Sequence, residues 1–157
     1  MSELLTKQAM LDFVSDMFVE KMPFNKELGL KVTSLDYDNV EITFDWQDKF
    51  IGNPQKQILH GGVIASVLDV AGGIISIASM VKRSEATDLA AFAHDMRRAG
   101  TIDLRTDYLR PGLGKSFTAT ACIIRSGTRV CVCRMELHNE EGTHIAFGTG
   151  TYLVDMS

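Results

Sequence analysis

The chain is short of cysteine, has no strong charge imbalance and lacks a leader-like N-terminus, and each shortage removes a class of protein. Three cysteines, Cys122, Cys131 and Cys133, are an odd number, and reduced thiols in a cytoplasmic protein are their simplest account. The opening MSELLTKQAM carries Glu3 where a secretory signal would have its charged and apolar regions. Cys131 and Cys133 can face one side of a strand, but no further Cys or His set is spaced for a metal, and none is expected. A net charge of −4 gives no global attraction to nucleic acid or acidic membranes, so an anionic partner must meet a local basic patch. Repeats, low-complexity tracts and linkers are missing too. One domain over residues 1–157 is expected, long enough to bury a core.

What is present is a long apolar run, ILHGGVIASVLDVAGGIISIASMV, from Ile58 to Val81. It is long enough to be tested as a membrane span. Asp69, Ser66, Ser76 and Ser79 count against that, because a mid-bilayer Asp costs about 2.5–3.5 kcal/mol. A helix apolar on nearly all sides is instead one wrapped by protein; no stable membrane insertion is expected.

Around it, Leu4, Leu5, Met10, Leu11, Val14, Met17 and Phe18 recur at helical spacing, and Pro23 is expected to stop that N-terminal helix (residues 1–23). The next stretch splits at Asp38-Asn39 into two strands. The second alternates Val40, Ile42, Phe44 and Trp46 with polar residues. Residues 53–57 read as a loop, and 82–100 as a polar, partly helical insertion. Then TIDLRTDYL sets Ile102, Leu104, Thr106 and Tyr108 on one face. Three further strands follow, joined by RSGT and NEEG hairpins. The class is α+β, an antiparallel sheet folded round one long central helix.

Gly61 and Gly62 open that helix, where backbone N–H groups lack intrahelical partners at the positive end of the macrodipole. Such a terminus can bind a developing oxyanion, and glycines let a ligand approach closely. The other reading is a tight turn with His60 a satisfied core histidine. Ser66, Asp69, Gly73 and Ser76 form one polar stripe, where a desolvated carboxylate is a better base; a buried structural Asp is the alternative. Asp69 lies eight residues beyond Gly61, roughly 12 Å along a helix. A base and an oxyanion donor must both reach one carbonyl. Two antiparallel copies of the helix about a two-fold axis would bring them together, so a homodimer is expected.

The combination HGGVIASVLDVAGG with GTIDLRTDYLRPG resembles hotdog-fold acyl-CoA thioesterases of the PaaI-like type, over about Phe24 to Val154. Within them it is similar to a YigI-like bacterial group, through MFVEKMPFNKELG and the 82–100 insertion. The resemblance implies a single hotdog fold with an extra N-terminal helix, assembling as a dimer or dimer of dimers. It implies hydrolysis of medium- to long-chain acyl-CoA to free acid and coenzyme A without a cofactor. Asp69 would be the base, or else a nucleophile forming an anhydride. The Gly61 N–H would polarise the carbonyl, and His60 would border the thioester. Asn53 would assist, though it stands seven residues before His60 where six is expected. Thr101 would place the water. Gly62 would sit against substrate, and Arg110, with Arg125 and Arg129 around Gly127, would meet nucleotide phosphates along one rim unless they belong to a solvated hairpin. Met10, Phe13, Met17 and Phe18 would wall an acyl tunnel or simply be core. The alternatives are a hotdog hydratase or dehydratase, and a non-catalytic acyl-CoA sensor.

Overall fold

The computed structural model describes residues 5–156; Leu4, where the helical pattern begins, lies outside the described residues. Thr6 caps helix α1 (Lys7–Asp16) by accepting the Ala9 N–H at 3.0 Å. The helix then widens into a π turn, Met17–Lys21. Pro23 does not end the helical region as its sequence position predicts. It opens a second helix, α2 (Pro23–Leu28), at the first turn, where a missing N–H costs nothing. Gly29, at φ 69°, closes α2 in the left-handed conformation.

Strands β1 (Lys31–Leu35) and β2 (Asn39–Asp45) lead to a small hairpin of β3 (Ile51–Asn53) and β4 (Ile58–Leu59). The apolar run becomes α3 (Gly61–Arg83), and the insertion carries α4 (Leu89–Met96). Four strands complete the chain: β5 (Gly100–Tyr108), β6 (Ser116–Ser126), β7 (Val130–Asn139) and β8 (His144–Leu153). The main sheet runs β1-β2-β6-β7-β8-β5, antiparallel throughout.

The α3 helix lies on the inner face of this sheet. Strand alternation supplies that face with Val40, Ile42 and Phe44 from β2, Phe117, Ala119 and Ala121 from β6, and Cys131, Cys133, Met135 and Leu137 from β7, all buried. By length and composition α3 can cross a membrane, but 72% of its most apolar stretch is buried inside the fold. Its end is held by α1: Lys7 Nζ donates to the carbonyls of Val81 and Ser84, each at 2.6 Å, a cation at a helix C-terminus. All three cysteines are free. Cys131 and Cys133 share the inner face of β7 with sulfurs 3.7 Å apart.

Strand β5 departs from its sequence pattern. Thr101 pairs with Tyr152, but the next pair is Asp103 with Thr151, so Ile102 is an extra residue in a bulge. Ile102, read as sharing a face with Leu104, is 56% exposed. The same slip reverses the parity of Thr101 and puts it on the face that Leu104 occupies.

Candidate active site

The hairpin of β3 and β4 delivers His60 to the start of α3. Gly52 makes this approach possible, since a Cβ there would collide with the His60 backbone. His60 is exposed rather than a core histidine. Its Nδ1 accepts the Gly62 N–H at 2.8 Å, so it is the cap of α3. That capping separates the two glycines. The Gly62 N–H is taken, whereas the Gly61 N–H has no acceptor among the described residues. Tyr108 packs beside it and donates its hydroxyl to the Gly61 carbonyl at 2.8 Å.

Two turns on, Asp69 is half-buried. Thr101 Oγ1, turned inward by the bulge, donates to Asp69 Oδ1 at 3.0 Å. Tyr152 Oη lies 3.3 Å from the same oxygen and 3.2 Å from the Asp69 carbonyl. Both donors converge on Oδ1, and Oδ2 has no donor among the described residues. Tyr152 is only 2% exposed. Burial, and then the Asp69 charge, push its hydroxyl well above the usual 10.0, so it stays a proton donor. The ring fits because residues 72 and 150 are glycines; a Cβ at either would run into it. Thr101 thus meets the carboxylate itself, the group beside which the resemblance has it place the water.

A cavity of about 590 Å³ opens along the polar stripe, with Ser66, Asp69, Gly73 and Ser76 all on its wall. Opposite stand Met17 and Phe18 from the π turn and Met22 and Phe24 around α2, with Met96 from α4. Asn25 fixes this wall: buried, it donates to the Phe18 carbonyl at 3.0 Å, an acceptor the π turn leaves to be satisfied. Of the residues proposed for a tunnel, Met17 and Phe18 line it. Met10 belongs to the core, and Phe13 packs edge-on to Phe92, centroids 6.4 Å apart. A second cavity of about 420 Å³ reaches His60 and Gly62 and shares Phe24 and Ser66 with the first.

The remaining predicted residues line neither cavity. Asn53 Oδ1 accepts the N–H groups of Gln55 and Lys56 at 3.0 and 3.1 Å, which ties that oxygen, though not the amide nitrogen, to its own turn. Arg110 donates to the His144 carbonyl at 3.0 Å, where β8 begins. Arg129 pairs with Asp155 at 3.3 Å, beyond its end. The strand between has ten residues, roughly 30 Å of backbone. Arg110 therefore does not share a rim with Arg125, Gly127 and Arg129 within one protomer, because turns at opposite ends of one strand cannot meet. Arg125 and Arg129 are both exposed on the hairpin around Gly127.

A family model described as Thioesterase superfamily matches residues 56–146, from the hairpin turn to the start of β8. The chain belongs to the thioesterase superfamily. Within the superfamily it is 46% identical over 154 residues to the medium/long-chain acyl-CoA thioesterase YigI of Escherichia coli (strain K12), covering 98% of this chain and 99% of that protein. A crystal structure of a Shewanella oneidensis protein related to the thioesterase superfamily is 49% identical, with a TM-score of 0.89 over 94% of this chain and 97% of the other. The E. coli PaaI protein from the phenylacetic acid degradation operon superposes with a TM-score of 0.76 over 94% and 95% of the two chains. At 21% identity that likeness speaks for the fold, the hotdog arrangement of sheet around helix.

Tyr152, Asn25 and the α4 wall of this cavity were not read from the sequence. Tyr152 left one trace: Gly148, Gly150 and Tyr152 alternate on the inner face of β8, two empty positions beside one large ring.

Proposed function

We propose that the protein hydrolyses acyl-CoA thioesters of medium to long chain at a site shared by two copies of the chain. The observation that carries the reading is the cavity of about 590 Å³, apolar along most of its wall, with the Asp69 carboxylate at its side. Its size falls in the roughly 300–1,000 Å³ range of small-molecule sites. An acyl chain fits such a wall, each methylene adding at most about 0.8 kcal/mol until the space is full. The naming of the E. coli relative as a medium/long-chain acyl-CoA thioesterase supports the same substrate class.

Asp69 acts as general base. Oδ2, which has no donor among the described residues, takes a proton from water as the water oxygen attacks the thioester carbonyl. The carbonyl oxygen becomes an oxyanion against the Gly61 N–H. Collapse breaks the carbon–sulfur bond, the thiolate takes up the proton, and free acid and coenzyme A leave. Thr101 and Tyr152 orient the base through Oδ1, and His60 keeps the Gly62 N–H occupied. The Asn53 amide N–H groups and the Gly62 backbone border the thioester. Arg110 at one end of β8, or Arg125 and Arg129 around Gly127 at the other, meets the anionic carrier. No cofactor takes part.

Gly61 and Asp69 of one helix stand too far apart to act together, so the oxyanion donor comes from a second subunit. Strand β5 has β8 on one side and, among the described residues, no strand on the other. Ile102 and Tyr108 on it are 56% and 54% exposed, and such an edge favours two-fold pairing.

Thiol release across acyl-CoAs from acetyl to stearoyl tests the substrate class, and fastest turnover on acetyl-CoA would sink it. Subunit mixing tests the shared site. His60 precedes position 61 with φ −62° and ψ 135°, a conformation compatible with a following proline, so Gly61→Pro removes one N–H and little else. Mixing inactive Gly61→Pro with inactive Asp69→Asn subunits should restore about a quarter of wild-type turnover, from one intact site in each mixed dimer. No recovery would place the whole site in one chain.

A further inference from the structure

The outer face of the sheet, away from α3, carries a cluster that the hydrolytic site does not use. Glu136 and His138 are two apart on β7 and point to the same side. His144 is the cross-strand partner of His138 on β8. One donor atom from each of the three lies within 4.8 Å of the others. Glu136 Oε2 faces both imidazoles, 4.0 Å from His138 Nε2 and 3.8 Å from His144 Nε2. The rings are stacked, centroids 4.5 Å apart and 13° from parallel.

These distances are too long for hydrogen bonds, and His144 Nε2 is buried without a hydrogen-bond partner among the described residues. A buried imidazole nitrogen without a partner costs free energy. Arg134 sits near the other carboxylate oxygen, with Nε 3.9 Å from Oε1, and lies over the Phe147 ring, 3.7 Å from its centroid. The carboxylate is thereby divided: Oε1 toward the guanidinium, Oε2 toward the two imidazoles.

We propose that Glu136, His138 and His144 bind one divalent late-transition cation of the zinc class. A tetrahedral ion with ligands at about 2.0–2.2 Å sets donors roughly 3.4 Å apart. The carboxylate oxygen stands 4.0 and 3.8 Å from the two nitrogens, about half an ångström beyond that, and the stacked rings must turn apart for both nitrogens to point at one ion. Two imidazoles and one carboxylate suit Zn²⁺, Co²⁺ or Ni²⁺ rather than Mg²⁺ or Ca²⁺, which take oxygen ligands. Three protein donors leave a position for solvent, and a bound ion gives His144 Nε2 the partner it lacks. The ion ties β7 to β8 beside their connecting turn, on the face of the sheet opposite Asp69.

Calorimetric titration of the metal-stripped protein with Zn²⁺ should give one ion per chain and raise the melting temperature, with no response to Mg²⁺. Affinity should fall at least tenfold in His138→Ala and in His144→Ala, and the stabilisation should vanish with it. His94→Ala and Cys122→Ser, which alter exposed metal-binding side chains elsewhere, should leave binding unchanged. Binding that follows His94 or Cys122 instead, or no zinc binding, overturns the proposal. Should one histidine variant fail to fold, the other decides, and Glu136→Gln supplies a third. Thiol release is a separate readout, so loss of zinc binding and failure of the hydrolytic reading are distinguishable.

Discussion

The two sides of the cavity are built on opposite terms. On the sheet side Tyr152 is fixed between Gly72 and Gly150, and Thr101 is aimed by a bulge, so Asp69 meets two donors in a packed setting. On the other side Met17, Met22, Met96 and Phe24 line a wall set on a π turn and short helices, and Phe24 is 60% exposed. Proton transfer loses much of its rate with small displacements of the base. A flexible hydrocarbon asks only for an apolar surface, and methionine adapts to varied shapes. Under the proposed function this is a division of labour: fixed geometry where bonds change, pliable side chains where chain length varies.

Substitutions on the two sides should therefore differ in kind. The largest effect belongs to Asp69→Asn, nearly isosteric, which should keep the fold and reduce turnover by roughly 10²–10⁴; circular dichroism with a thiol-release assay decides. Gly72→Ala comes next. Its Cβ would press on the buried Tyr152 ring, 2.6 Å from Cζ, and overpacking of this kind costs about 1–3 kcal/mol. Chemical denaturation should register that loss, and kcat should fall as the hydroxyl leaves Asp69.

Tyr152→Phe should be milder, about tenfold in kcat, because Thr101 still donates to Oδ1. It also carries a pH signature. The folded protein keeps the Tyr152 proton above the usual 10.0, whereas the unfolded chain releases it. Stability from this group is thus present below that pH and is lost as pH rises past it. Melting temperatures either side of pH 10 should fall less steeply in the Phe variant than in the wild type. The smallest effect is expected on the pliable side. Met22→Leu conserves volume and should shift the preferred acyl length with less than about threefold change in kcat/KM on any one substrate. A change there as large as that of Tyr152→Phe would erase the contrast.

Much of this was legible from periodicity. The buried central helix, its polar stripe and the strand alternation of β2, β6 and β7 follow from which positions repeat, and Asp69 stood out as the carboxylate in an apolar run. What escaped was whatever a single residue shifts. The extra Ile102 reverses the parity of β5 and turns Thr101 toward Asp69, and no period-two reading detects one inserted residue. Pro23 reads equally as a helix stop or a helix start, since either end tolerates its missing N–H. The arginines looked like one rim because each flanks a turn, but strand register puts those turns at opposite ends of the sheet. The pair of His138 and His144 escaped spacing rules for the same reason: a hairpin, not a motif, makes them neighbours.

The slot that holds Tyr152 also constrains how this protein can change over generations. Positions 72, 150 and 152 are not independent letters. A side chain at either glycine is admissible only once the ring has shrunk, and a smaller residue at 152 leaves a void beside Asp69 until a glycine is filled. Each single step away from the present combination is unfavourable, although the completed exchange can pack as well. Lineages that keep the tyrosine should keep both glycines, and departures should come as linked replacements at all three positions.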